Sequence, residues 1–198
     1  MSGIVGIFNL DGAPVDARVL EQLTSSLTFR GPDRKSAWVQ DNIGFGHTLL
    51  ATTFEAKHEK QPLSLDNKVW IVADARIDAR NELIKKLRVS GRILNKKATD
   101  PELILHAYHV WGTECVRQLI GDFCFAIWDK QNKTLFFARD HFGVKPFFYA
   151  IADNTIVFSN TFDCIRKHPD ISQEFNDQAI ADFLLYGFGL NHDNTAFI

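Results

Sequence analysis

The sequence predicts an α+β domain in which two antiparallel sheets stack face to face with helices outside them. Three observations lead there. Runs with strand character cluster near both ends of the chain, and helical patterns are grouped between and after them. Hydrophobic residues make up 45% of the 198, with 17 Phe and 4 Trp, which is enough for one sizeable core. No repeat, low-complexity tract or linker divides the chain, so residues 1–198 read as a single domain.

Residues Gly3 to Asn9 alternate Ile, Val, Ile and Phe with glycine and read as a buried strand. Leu10-Asp11-Gly12 is a turn. Asp16 can cap a helix whose apolar face is Val19, Leu20, Leu23 and Leu27, and Arg30-Gly31-Pro32-Asp33 ends it. Ser36 to Gln40 and Ile43 to Leu50 flank Asp41-Asn42 in a hairpin pattern. Val69 to Ala73 is a further strand, entered through Asp66-Asn67-Lys68. Asp78 is the expected cap of a helix with Leu83, Ile84 and Leu87 inward. Asp100-Pro101 opens another, because proline suits the first helical position, with Leu103, Ile104, Ala107, Tyr108 and Trp111 on one face. After Gly121 the pattern predicts a meander of strands: Phe123 to Trp128, Thr134 to Ala138, Phe147 to Ile151 and Thr155 to Ser159. Asn176 caps a last helix through Ile180, Phe183, Leu184 and Leu185, and Gly187 stops it. The closing Asn194-Thr195-Ala196-Phe197 has neither cap nor polar tail, and the chain is expected to continue into a longer protein.

Composition also excludes classes. The formal net charge is -2 with no basic block, so a nucleic-acid footprint is absent. The N-terminal Met-Ser-Gly-Ile-Val-Gly-Ile-Phe lacks a basic region and is not a signal peptide, and no apolar run approaches membrane-spanning length. The cysteines, Cys115, Cys124 and Cys164, are odd in number and form no C-x-x-C pair, so a reduced, cytoplasmic protein without metal or disulfides is expected. His106 and His109 have metal-compatible spacing, but no second cluster accompanies them.

Seven segments carry a more specific signal. They are Ser2-Gly3-Ile4-Val5-Gly6-Ile7, Arg30-Gly31-Pro32-Asp33, Gly46-His47, Gln61-Pro62-Leu63, Asp100-Pro101-Glu102-Leu103-Ile104-Leu105, Gly121-Asp122-Phe123-Cys124-Phe125-Ala126, and Ala138-Arg139-Asp140-His141-Phe142-Gly143-Val144-Lys145-Pro146. In this order, over nearly the whole chain, they resemble the class II glutamine amidotransferase domain of the asparagine synthetase family. The resemblance implies the N-terminal-nucleophile (Ntn) hydrolase fold, a four-layer αββα sandwich. It also implies a C-terminal synthetase domain as partner, which uses ATP and Mg to activate a carboxylate. The Ser-Gly-Gly-x-Asp-Ser pyrophosphate loop of that domain is missing from this chain, so no cofactor is expected here.

Glutamine hydrolysis needs a nucleophile, a base, an oxyanion hole and a clamp for the substrate's charged end. By resemblance, the nucleophile is a cysteine freed by removal of Met1, with its own α-amine as base. This chain has Ser2 there, whose hydroxyl is a harder proton to take, and with Met1 in place Ser2 has no free amine. The arginine that clamps the substrate carboxylate matches Leu49, which cannot replace it. The Asn-Gly oxyanion hole matches Asp74-Ala75. An ionised aspartate only accepts hydrogen bonds, and removing one such donor elsewhere lowers rates by about 100- to 1,000-fold. The family's following Glu is Arg76, and only Asp100, matched to the residue that takes the substrate ammonium, remains. An engineered nucleophile change would explain Ser2 but neither Leu49 nor Asp74.

Other residues have plainer readings. Asp78 and Arg80 are expected to be solvated ion-pair partners, with Asp74 and Arg76 left open. His47 reads as a packed, hydrogen-bonded histidine, and His58 with Glu55, Glu59 and Lys60 as an exposed loop near a pocket. Arg139-Asp140 reads as a structural ion pair and Lys145-Pro146 as a rigid turn.

Relatives that lack the glutaminase step include β-lactam synthetases and lasso-peptide macrolactam cyclases, and residues 73–80 and 52–62 look most like that branch. The expectation is a catalytically silent domain that scaffolds a synthetase domain or a peptide or amino-acid-derived substrate. The rival is a working glutaminase using Ser2; a third class is a stand-alone binding module.

Overall fold

A computed structural model of the chain describes residues 1–94 and 97–190. The closing Asn194-Thr195-Ala196-Phe197 segment lies outside the described residues. In order, the elements are β1 (Gly3–Asn9), α1 (Ala17–Ser26), β2 (Arg34–Gln40), β3 (Ile43–Leu49), β4 (Leu63–Ser64), β5 (Val69–Ile77), α2 (Arg80–Val89) and α3 (Asp100–Trp111). They continue with β6 (Gly121–Asp129), β7 (Thr134–Arg139), β8 (Phe148–Ala152), β9 (Thr155–Ser159), α4 (Phe162–Ile165) and α5 (Asp177–Tyr186). Short 3-10 turns occupy Ala56–His58 and Gly112–Gln118.

The strands form two antiparallel sheets, ordered β2-β3-β1-β9-β8 and β4-β5-β6-β7. Alternation along each strand sorts side chains between layers. On β5, Val69, Ile71, Ala73 and Ile77 pack with Leu83, Leu87, Leu103 and Ile104 of α2 and α3, whereas Val72 joins Ile4, Phe45, Cys124, Ala126 and Phe158 between the sheets. On the other side Val5, Ile7 and Val157 meet Leu20 and Leu23 of α1 and Ile165 of α4. The result is the expected αββα sandwich with helices on both outer faces.

Several local expectations change. The strands after Gly121 do not form one meander: β6–β7 is a hairpin of the second sheet and β8–β9 a hairpin of the first. Residues 140–147 therefore cross between layers, a switch that strand periodicity cannot reveal because both hairpins alternate alike. Strand β5 runs on to Ile77, paired with Gly121 of β6. Asp78 does not cap α2. Its cap is Ala79, held at φ 47° with no side-chain cap bond, while Asp78 pairs with Arg76. In α5, Asn176 accepts from the Ala179 amide and Gly187 ends the helix as expected, but Phe183, Leu184 and Leu185 face outward, Leu184 at 77% exposure.

Candidate active site

The start of β1 and the later part of β5 meet at one mouth between the sheets. The alternation that turns Ile4 and Val72 into the inter-sheet layer turns Ser2 and Asp74 there as well. A cavity of about 280 Å³ opens at this mouth, lined by Met1, Ser2, Leu49, Leu50, Thr52, Thr53, Glu55, Ala56, Glu59, Asp74, Ala75, Arg76, Asp100, Asp122 and Lys145. All six candidate residues, Ser2, Leu49, Asp74, Ala75, Arg76 and Asp100, therefore fall on one wall system. A larger hollow of about 600 Å³ beside β8 and α4, walled by residues such as Phe148, Phe162 and Ile171, holds none of them.

Ser2 is 7% exposed and fixed on every side. Its N–H donates to Asp74 Oδ1 at 3.2 Å. Its carbonyl accepts from Asn160 Nδ2 at 2.8 Å and from Arg30 Nε at 3.3 Å. Its Oγ accepts the Leu50 amide at 3.2 Å, so one oxygen lone pair is already engaged. Burial lowers the pKa of the Met1 α-amine, and Lys145 and Arg30 push the same way against the opposing pull of Asp74.

Asp74 is 4% exposed and faces cations. Lys145 Nζ donates to its Oδ1 at 3.0 Å, Asn160 Nδ2 lies 3.3 Å from Oδ2, and Arg30 Nη2 lies 3.7 Å from Oδ2. The carboxylate is thus neutralised in place. Arg30 reaches it because Gly31 lets the 30–33 turn press on β3: a Cβ at Gly31 would lie 2.2 Å from the Thr48 carbonyl oxygen. Lys145 reaches it from the crossing segment, which Asp140 organises by accepting the amides of Phe142, Val144 and Lys145 at 3.1, 2.9 and 3.0 Å. Arg139-Asp140 is therefore not an ion pair among the described residues, since backbone amides take the Asp140 oxygens. Lys145 is not only part of a rigid turn, because its ammonium enters the site. Asn160 also accepts the Ile4 amide at 3.0 Å. Arg30, Lys145 and Asn160 were not singled out as site residues. Arg30 and Lys145 sit inside the quoted motifs, and Asn160, directly after β9, carries no local signal.

Leu49 is buried at the end of β3 and gives the cavity an apolar patch where a carboxylate clamp would need a cation. Ala75 packs toward the helix-side core. Arg76 is bound at 3.2 Å to Asp78 and at 3.0 Å to Asp122. Asp100 lines the cavity but is not a free carboxylate, because Arg80 donates to it and to the Ala98 carbonyl. Arg80 is accordingly half-buried rather than a solvated partner.

Behind the cavity lies a polar cluster. His47 is packed as expected: burial pushes its pKa down to about 3, with Arg34 acting the same way, so the ring is neutral. Gln61 Nε2 lies 3.2 Å from His47 Nε2 and donates to the Ala73 carbonyl at 2.9 Å and to Glu59 Oε1 at 2.7 Å. His58 is exposed, but Glu59 is not an exposed loop residue: burial raises its pKa to about 7, opposed by the Gln61 hydrogen bond and by Arg34, and reinforced by Asp74 and Glu102. Cys115, Cys124 and Cys164 are free and buried, and burial raises the pKa of each thiol, that of Cys115 to about 12. Among the described residues, no group of three or more His, Cys, Asp or Glu is arranged to hold a metal ion, and no helix is long and apolar enough to cross a membrane.

Comparison with known proteins agrees with this geometry. The sequence pattern of the glutamine amidotransferase domain matches residues 1–197. Glutamine-hydrolysing asparagine synthetase 3 of Bacillus subtilis is 32% identical over 199 residues, covering 98% of this chain and 31% of that protein. Asparagine synthetase 2 of the same organism is 29% identical over 201 residues, covering 98% of this chain and 26% of that protein. A putative glutamine-hydrolysing asparagine synthetase of Methanocaldococcus jannaschii is 28% identical, covering 95% and 40%. The chain thus spans only about a third of the length of these relatives. Among solved structures, the glutamine phosphoribosylpyrophosphate amidotransferase of B. subtilis superposes with a TM-score of 0.65 at 17% identity, over 83% of this chain and 43% of that one.

Proposed function

Because the chain belongs to the glutamine amidotransferase domain family, we propose that it is the glutaminase-like domain of an asparagine-synthetase-related enzyme and is itself silent toward glutamine. The observation that carries this reading is the buried Asp74 carboxylate, held by Lys145, Arg30 and the Ser2 N–H. In a working site the matching position offers a donor to developing negative charge; here an anion already sits there. Leu49 supports the same reading, since it leaves a substrate carboxylate without its clamp, and so does Asp100, which is committed to Arg80.

In this reading the domain acts through its shape. Its partner is a synthetase-type domain that uses ATP and Mg to activate a carboxylate, and the attacking amine comes from the substrate itself, as in macrolactam- and β-lactam-forming relatives, or from a second amine. The exposed Phe183, Leu184 and Leu185 of α5 support a docking role, because so many large apolar side chains facing outward on one short helix are uncommon on a free surface. The second reading, a glutaminase using Ser2, is favoured by one observation: Ser2 does line the cavity. A glutamate-release assay on protein verified by mass to begin at Ser2 separates the two. Background rates are expected; clear turnover would show that the missing clamp and hole matter less than argued.

A further inference from the structure

Every hydrogen-bond or ion-pair partner that the structure gives the Asp74 carboxylate is a donor, although the Glu59 carboxyl also feels its charge. The Ser2 N–H and Lys145 Nζ converge on Oδ1 at 3.2 and 3.0 Å, and Asn160 Nδ2 and Arg30 Nη2 approach Oδ2 at 3.3 and 3.7 Å. Two full positive charges and two neutral donors around one carboxylate are what a protein presents to a bound oxyanion. Here the oxyanion is tethered to β5.

Arg30, Asn160 and the Ser2 backbone have anchors other than Asp74, whereas the Lys145 ammonium is placed by its backbone and by Asp74 itself. Asn160 is held by the Ile4 amide at 3.0 Å and by the Ser2 carbonyl at 2.8 Å. Arg30 Nε binds the Ser2 carbonyl at 3.3 Å. The Lys145 backbone is pinned to Asp140 Oδ2 at 3.0 Å. Ser2 is held by the Leu50 amide and leads into β1, which is paired on both sides. Removing the Asp74 side chain should therefore leave Arg30, Asn160 and the Ser2 N–H converging on a vacated carboxylate position, with Lys145 in reach of it, at the wall of an open cavity.

We propose that Arg30, Lys145, Asn160 and the Ser2 N–H form an anion-binding hole whose occupant is the protein's own Asp74, and that a small free carboxylate takes its place when that side chain is shortened. The site is then self-filled rather than stripped of donors. This deepens the reading of a silent glutaminase site and rests on it.

The test is anion rescue. Thermal unfolding of Asp74→Ala and of the milder Asp74→Ser is followed in sodium formate, sodium acetate and sodium chloride at equal ionic strength. Both variants are expected to melt below the wild type in chloride, because Lys145 and Arg30 lose their counter-ion. Formate or acetate should raise their Tm saturably, by roughly 5–10 °C at about one hundred times the Kd. The wild type should respond to formate no more than to chloride, and Lys145→Met added to Asp74→Ala should abolish the saturable gain. The proposal is overturned if neither variant gains over chloride, if the double variant gains as much, or if neither variant folds even in formate. Glutamate release by the wild type would instead end the silent-domain reading and leave a positive rescue intact; failed rescue would end the anion hole and leave silence standing.

Discussion

Ser2 and Asp74 stand 72 positions apart in sequence, yet the backbone N–H of the first donates to Oδ1 of the second at 3.2 Å. The nitrogen that would become the base of an N-terminal nucleophile thus lies against a carboxylate. If Met1 were removed, the resulting α-amine would face the same oxygen, whose pull toward the protonated form is opposed by burial and by Lys145 and Arg30, as it is at Met1.

Ser2→Cys alone should leave glutamine hydrolysis at background. A thiol gains nucleophilicity, but the developing oxyanion still meets Asp74 and the substrate carboxylate still meets Leu49. The combination Ser2→Cys, Leu49→Arg, Asp74→Asn and Ala75→Gly has the best chance of turnover, and its partial sets should look inert because such groups act as a unit. Glutamate release measured across the series decides this, and strong activity from the single change would contradict it.

Lys145→Met should destabilise the fold by about 3 kcal/mol, since it strands a buried carboxylate with only the more distant Arg30 as counter-ion. Adding Asp74→Asn should recover part of that loss, so the pair is less damaging than the sum of its members. Urea unfolding of the two single variants and the double variant measures the coupling, and strict additivity would rule out the pairing.

Glu59 gives the stability a pH dependence with a definite sign. Its folded pKa is raised from 4.5 to about 7, so the folded state holds a proton that the unfolded chain releases between those values. This contribution is fully present below about pH 4.5 and is lost as pH rises through about 7. Glu59→Gln should therefore gain stability relative to the wild type over that window, by a few kcal/mol, and hold a constant advantage above it. Denaturant midpoints from pH 4.5 to 8 test this, and a difference independent of pH would refute it.

Ala79 sits at φ 47° at the start of α2, a conformation that costs a residue with a Cβ about 1 kcal/mol, and its side chain cannot cap. Ala79→Asn should raise stability by about 1 kcal/mol and Ala79→Gly by slightly less. Thermal unfolding should show Tm gains in that order, and a loss with both would mean that the strained turn does not limit stability.

The layers of this fold were legible because period-two alternation in β1, β5 and β6 continues through apolar residues into the site. That rhythm does not mark Asp74, which only the match to the family's Asn-Gly pair picks out, and its partners are harder to see. Lys145 arrives over a crossing between sheets, and Asn160 follows a strand that pairs with β1 from the far end of the chain. Such contacts are set by topology, which local pattern does not encode. The Asp78 cap failed for a different reason: strand pairing drew β5 on to Ile77, and Arg76 claimed the carboxylate.

Burial of Ser2 directly behind an exposed Met1 also makes the beginning of the polypeptide part of the wall it enters by. Any peptide fused ahead of Met1 must leave through the mouth that Leu49, Asp74 and Lys145 surround. An amino-terminal tag on this protein would act as a stopper in its own cavity.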